Sequence, residues 1–123
     1  MTDPNTQLSA HFKLKEFVVS KRHPDVYNVP PHTAVDNLRR ITDYWLEGLR
    51  SWYQSVYCEP NEEHRIIINS GYRSPTLNKL VGGVPGSNHL TGCAVDIRVA
   101  GVEDAVRYMR ILIDLAVDGH DFD

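Results

Sequence analysis

Only two cysteines, Cys58 and Cys93, occur in the 123 residues, far apart and without a CxxC spacing. That excludes a disulfide framework and a cysteine-rich structural zinc site, and leaves each as a small, partly buried thiol. Basic charge is not in excess. Thirteen Lys and Arg stand against 16 Asp and Glu, for a formal charge of −3, whereas a nucleic-acid partner calls for a basic face. No apolar run approaches the roughly 20 residues of a membrane span, so no membrane partner is expected either. Met1 to Ser9 is polar and carries Asp3, unlike a secretory signal, which predicts a cytoplasmic location. Three catalytic signatures are missing as well. There is no HExxH, no GxSxG elbow, and no GK[ST] after the glycines at 82 and 83. What remains is ordinary globular composition, 41% hydrophobic and 24% charged, enough for one domain with a modest core.

Met1–Ala10 reads as a frayed, flexible start, with the domain running over 11–123. The stretch His11–Val19 alternates loosely, with Phe12 and Phe17 expected under the core, and the prolines at 24, 30 and 31 mark a loop. Val35, Leu38, Ile41, Trp45, Leu49 and Trp52 recur at steps of three and four, the stripe of an amphipathic helix capped by Thr33 or Asp36. Ile66–Ile68 predicts a buried strand within Arg65–Asn69. Ser74 before Pro75 reads as an N-cap with proline at the first helical position, opening a short helix that Gly82 and Gly83 end. A second strand is expected over Ala94–Val99, with Ala94, Asp96 and Arg98 on one face. A last helix follows, its apolar positions Val102, Ala105, Val106, Met109, Leu112 and Ala116, with Gly119 at its end. The pattern is α+β: helices packed on a small, mostly antiparallel sheet.

The chemistry concentrates in Ser87–Asp96. His89 and Asp96 bracket a turn at Gly92. If that turn folds the loop back onto the strand, an imidazole nitrogen and a carboxylate oxygen meet at one point. Zn²⁺ favours those two donors, and a catalytic site adds a third protein ligand and leaves a position for water. Taken by spacing alone, the pair is weak evidence for a metal site and fits better an exposed loop histidine and a strand-end aspartate bonded to backbone.

Ser70–Gly71–Tyr72–Arg73–Ser74, Asn78, Gly82–Gly83 and the Ser87…His89…Gly92…Ala94…Asp96 series together resemble one known family. It comprises the zinc D-alanyl-D-alanine carboxypeptidases and the phage L-alanyl-D-glutamate endopeptidases, which share a Hedgehog-like fold. Phe12–Phe17 and Asn37–Leu38–Arg39 are similar to the opening of the same peptidase domain. The resemblance implies a metallopeptidase with a Zn²⁺ cofactor, acting on the stem peptides of bacterial peptidoglycan. It implies His89 and Asp96 as zinc ligands. Arg73 would bind the substrate carboxylate or polarise the scissile carbonyl, a task suited to a planar guanidinium. Ser87 would hydrogen-bond the substrate or the metal-site loop, or serve only the turn. Tyr72 reads as packing.

The family pattern continues to a strand bearing a third ligand, a histidine after an aromatic residue, preceded by a catalytic Glu or Asp. Here the sequence reaches Gly119–Asp123 where that strand is expected to start, and His120, the one histidine after Asp96, stands at a helix exit. Two alternatives follow: a non-catalytic binding module of the same fold, or a truncated, inactive fragment. With no signal peptide, a phage-type lytic protein that reaches the wall by other means is the expected setting. His11, His23, His32 and His64 lie in polar segments and read as solvated or capping residues.

Overall fold

The apolar stripe from Val35 to Trp52 does form a helical rod, in three segments. The computed structural model describes residues 3–20 and 22–117. Helix α2 spans His32–Ile41, a π turn occupies Thr42–Leu46, and α3 runs from Glu47 to Tyr57. Val35, Leu38, Leu46 and Leu49 are buried, and Trp45 and Trp52 pack against the same core. The start differs from expectation. Neither Thr33 nor Asp36 caps the rod. Pro31 stands at the N-cap in an extended conformation without a side-chain bond, and its carbonyl accepts from the Val35 N–H at 3.1 Å.

The expected frayed start over 1–10 is corrected for Gln7–Ser9, which forms strand β1, paired antiparallel with β2 at Phe12–Lys13. The cause is burial: Leu8 joins Phe12, Leu14 and Phe17 in the core. A carboxylate secures the hairpin. Glu47 on α3 accepts from the Ser9 hydroxyl, from the His11 N–H at 2.8 Å and from the His11 ring at 2.7 Å. A one-turn helix α1, Lys15–Val18, follows.

The functional segments hang on a second two-stranded sheet. β3 is Ile68–Ser70 and β4 is Asp96–Ile97, antiparallel, with Ile68 opposite Ile97 and Ser70 opposite Asp96. The antiparallel expectation holds, while both strands are shorter than their apolar runs. The Cys93 N–H is drawn back to the Asn88 carbonyl at 2.9 Å, so regular pairing starts only at Asp96. Between the strands lie α4, Pro75–Leu80, and a 3₁₀ turn, Asn88–Thr91. The Ser74 hydroxyl caps α4, accepting the Leu77 N–H at 3.2 Å. Cys58 is half-buried as expected, but Cys93 is exposed.

Helix α5, Val102–Val117, buries a different stripe from the expected one. Tyr108, Ile111 and Leu115 face the core, while Val102, Val106 and Met109 lie in solvent. The helix carries two apolar stripes, and a polar network selects between them. The Tyr53 hydroxyl on α3 donates to Asp104 at 2.6 Å, the Tyr108 hydroxyl lies 2.6 Å from His64 Nε2, and His64 stacks on the Tyr53 ring at 3.7 Å. His64 is thus a half-buried partner of α3 and α5 rather than a solvated loop residue. Gly119 and His120 lie outside the described residues. Among the described residues no helix is long and apolar enough to cross a membrane.

Candidate metal and substrate site

The strand exit Ser70–Arg73 and the bend Ser87–Asp96 lie side by side and are tied by two bonds. The Arg73 N–H donates to the His89 carbonyl at 3.0 Å, and His89 Nδ1 lies 2.6 Å from the Gly71 carbonyl. A carbonyl only accepts, so Nδ1 carries the proton and Nε2 is left facing the other way. It faces Asp96: Nε2 and Oδ2 are 3.2 Å apart. His89 is buried, its side chain 9% exposed, whereas the Asp96 side chain is 62% exposed. The imidazole is therefore held rigidly, and the carboxylate opens toward solvent.

The bend that brings them together rests on Gly92. Its φ is +74°, the left-handed region, and a Cβ there would lie 2.5 Å from the Ala34 carbonyl oxygen. Only a residue without a side chain fits between the bend and α2. Asn37 on α2 adds a tie, its Nδ2 donating to the Thr91 carbonyl at 2.9 Å.

Arg73 and Asp96 both line a cleft of about 620 Å³ that also borders α1 and α4. Tyr72 is buried beside it, in the packing role expected of it, and that burial raises its hydroxyl pKa. Ser87 is not among the lining residues. Its hydroxyl caps the 3₁₀ turn by accepting the His89 N–H at 3.2 Å, which is the turn-forming role. Sequence reasoning overlooked Asn28. Its Nδ2 donates to the Val18 and Tyr72 carbonyls at 2.8 and 3.0 Å, and its Oδ1 accepts the Ser74 N–H at 2.6 Å. It grips the chain on both sides of Arg73. No local pattern signals such a role, because its partners are ten to 46 residues away.

The donor set suits zinc. Two ligands each about 2.1 Å from a tetrahedral ion stand about 3.4 Å apart, close to the 3.2 Å between Nε2 and Oδ2. The Nδ1 bond to a backbone carbonyl is the outer-shell contact that orients a ligating histidine. Among the described residues, no third His, Cys, Asp or Glu joins the pair.

No curated protein and no solved structure is matched by this sequence. A family profile, described as Peptidase M15, matches residues 10–120. That span takes in both strands of the site sheet, the His89–Asp96 bend and α5, and the chain belongs to the Peptidase M15 family.

Proposed function

We propose that the chain is a zinc-dependent peptidase domain that hydrolyses stem peptides of bacterial peptidoglycan, with His89 and Asp96 as two of its metal ligands. One observation carries the reading. With its Nδ1 engaged by the Gly71 carbonyl, the His89 ring directs Nε2 at a carboxylate oxygen of Asp96 3.2 Å away. Two acceptors so close require a positive charge between them, either a proton or a metal cation. Zinc bound there supplies Lewis acidity and a water acidic enough to ionise near neutral pH.

The chain's own residues supply the rest. The Gly71 carbonyl holds the His89 ring and its tautomer. Asp96, at the cleft edge, offers a carboxylate that lowers the net charge of the site. Arg73 lines the same cleft and presents a guanidinium fork to a substrate carboxylate or to the scissile carbonyl. A cleft of about 620 Å³ falls in the size range of ligand pockets and accommodates a short peptide.

Calorimetric zinc titration of the full chain tests the metal half of the proposal. One-to-one binding, lost in His89→Ala and weakened in Asp96→Asn, is the expected result; no binding overturns it. Incubation of the zinc-loaded chain with stem peptides, followed by mass spectrometry, tests the chemistry. Peptide binding without any cleavage would instead mark the domain as a recognition module.

A further inference from the structure

Two buried side-chain polar atoms lack a hydrogen-bond partner among the described residues, Arg73 Nε and Asn78 Oδ1. One can only donate and the other only accept. Each left alone carries the desolvation penalty of a buried, unpaired polar group, so a shared solution is favoured over two separate ones. Asn78 Oδ1 and the end of the Arg73 guanidinium border the same spot. A Cβ on Gly83 would meet Asn78 Oδ1 at 2.0 Å and Arg73 Nη1 at 2.8 Å. The missing side chain at position 83 is what lets the amide and the guanidinium face each other.

The amide has little freedom to turn away. Asn78 is 4% exposed, its Nδ2 donates to the Val84 carbonyl at 2.9 Å, and its own carbonyl accepts the Gly83 N–H at 2.8 Å. With Nδ2 engaged, Oδ1 is a fixed acceptor beside the guanidinium. The Arg73 backbone is equally fixed, by Asn28 on both flanks and by the His89 carbonyl. Only the side-chain torsions of Arg73 remain free.

We infer that Asn78 is a positioning residue for Arg73. Its side-chain oxygen takes one guanidinium donor and turns the remaining fork toward the cleft, where it receives a carboxylate. This rests on the anchoring role of Arg73 proposed above. Of the five guanidinium donors, one goes to Asn78, which leaves a parallel pair for bidentate recognition. Substituting Gly83 by alanine places a methyl group against both partners and disrupts the same contact.

Nitrogen-15 spectra of the full chain test the pairing directly. A guanidinium N–H of Arg73 is expected to give a resolved, slowly exchanging signal that disappears into rapid exchange in Asn78→Ala. Rapid exchange in the unaltered protein overturns the inference, whether or not the variant folds. Calorimetry with the dipeptide D-alanyl-D-alanine tests the consequence. Asn78→Ala should weaken the dipeptide about tenfold and leave zinc affinity within twofold, and should have no further effect when Arg73 is already alanine. Additive losses in the double variant overturn positioning and give Asn78 its own contact with the ligand. If Arg73→Ala alone leaves dipeptide affinity intact, the anchoring role fails, while the exchange experiment still decides the pairing.

Discussion

Replacing Gly92 by alanine should harm the protein more than the same change at Gly82, and the difference isolates one contact. Both residues have positive φ, +74° and +77°. Alanine in the left-handed region costs about 1–2 kcal/mol at either site. The loss of unfolded-chain entropy offsets part of that equally at both. The surroundings differ. At Gly82 an added Cβ meets nothing within 4 Å, whereas at Gly92 it meets the Ala34 carbonyl oxygen at 2.5 Å. That oxygen belongs to the backbone of α2 and cannot rotate aside, so the helix or the bend must shift, at a further cost of about 1–3 kcal/mol. For a chain of this size each kcal/mol lowers Tm by about 3–5 °C. With an entropy offset of about 0.4–1 kcal/mol, Gly82→Ala should therefore lose at most about 8 °C, and Gly92→Ala about 3–23 °C, by circular-dichroism melting. Zinc titration adds a second readout, since the displaced bend moves His89 away from Asp96. Equal melting shifts in the two variants, with zinc affinity unchanged in both, would refute the idea that α2 shapes the bend.

Asp96→Asn should leave Tm within about 1–2 °C, because the side chain is mostly solvated, yet should weaken zinc by at least tenfold in calorimetry. Tyr53→Phe removes the hydroxyl shared by Asp104 and Arg107 and should cost about 1–2 kcal/mol in urea unfolding. Burial of His64 against Tyr53 and Tyr108 pushes its pKa below the usual imidazole value, with nearby Asp104 opposing and Arg50 assisting. The unfolded chain then binds the proton first. The stability it contributes is complete above about pH 6.5 and is lost as pH falls through the lower, folded value. Urea midpoints measured from pH 7.5 to 5 should fall, and His64→Phe should flatten that slope. Burial raises the Glu47 pKa, but hydrogen bonds from Ser9 and His11 outweigh it and hold the carboxylate below its usual range. Its contribution should be complete above about pH 4.5 and be lost as pH falls through the lower, folded value, and Glu47→Gln should remove that acid-limb loss in the same titration.

Local chemistry was the legible part of this sequence. Ser74 and Pro75 announce the start of α4, and the resemblance carried by the Ser87–Asp96 segment, more than its spacing, anticipates a bend that joins two donor atoms. The antiparallel α+β layout follows from strand and helix periods alone. Failures arose where distant partners decide. The apolar positions of α5 form two stripes, and periodicity cannot say that hydroxyl contacts to Tyr53 and His64 bury the Tyr108 side. Leu8 looked like part of a tail because Glu47, which secures its hairpin, stands 38 residues beyond Ser9. Asn28, Asn78 and Gly83 were invisible as a group for the same reason. Their meaning lies in which backbone atoms they meet. Ser87 illustrates the opposite case, in which the local reading as a turn-former matches the hydrogen bond it makes.

The wide turn at Thr42–Leu46 governs how the rod is shared between its neighbours. A uniform α-helix from His32 to Tyr57 would keep one phase along its whole length. An extra residue in a single turn rotates everything after it by roughly 100°, and the Thr42 hydroxyl, donating to the Arg39 carbonyl at 2.8 Å, sits at the join. The proximal half can thus present Asn37 to the His89–Asp96 bend while the distal half aims Tyr53 at α5. A one-residue deletion in that turn would swing Tyr53 off its partner without disturbing Ala34 or Asn37. The two ends of the rod thus serve different partners, the His89–Asp96 bend at one and α5 at the other.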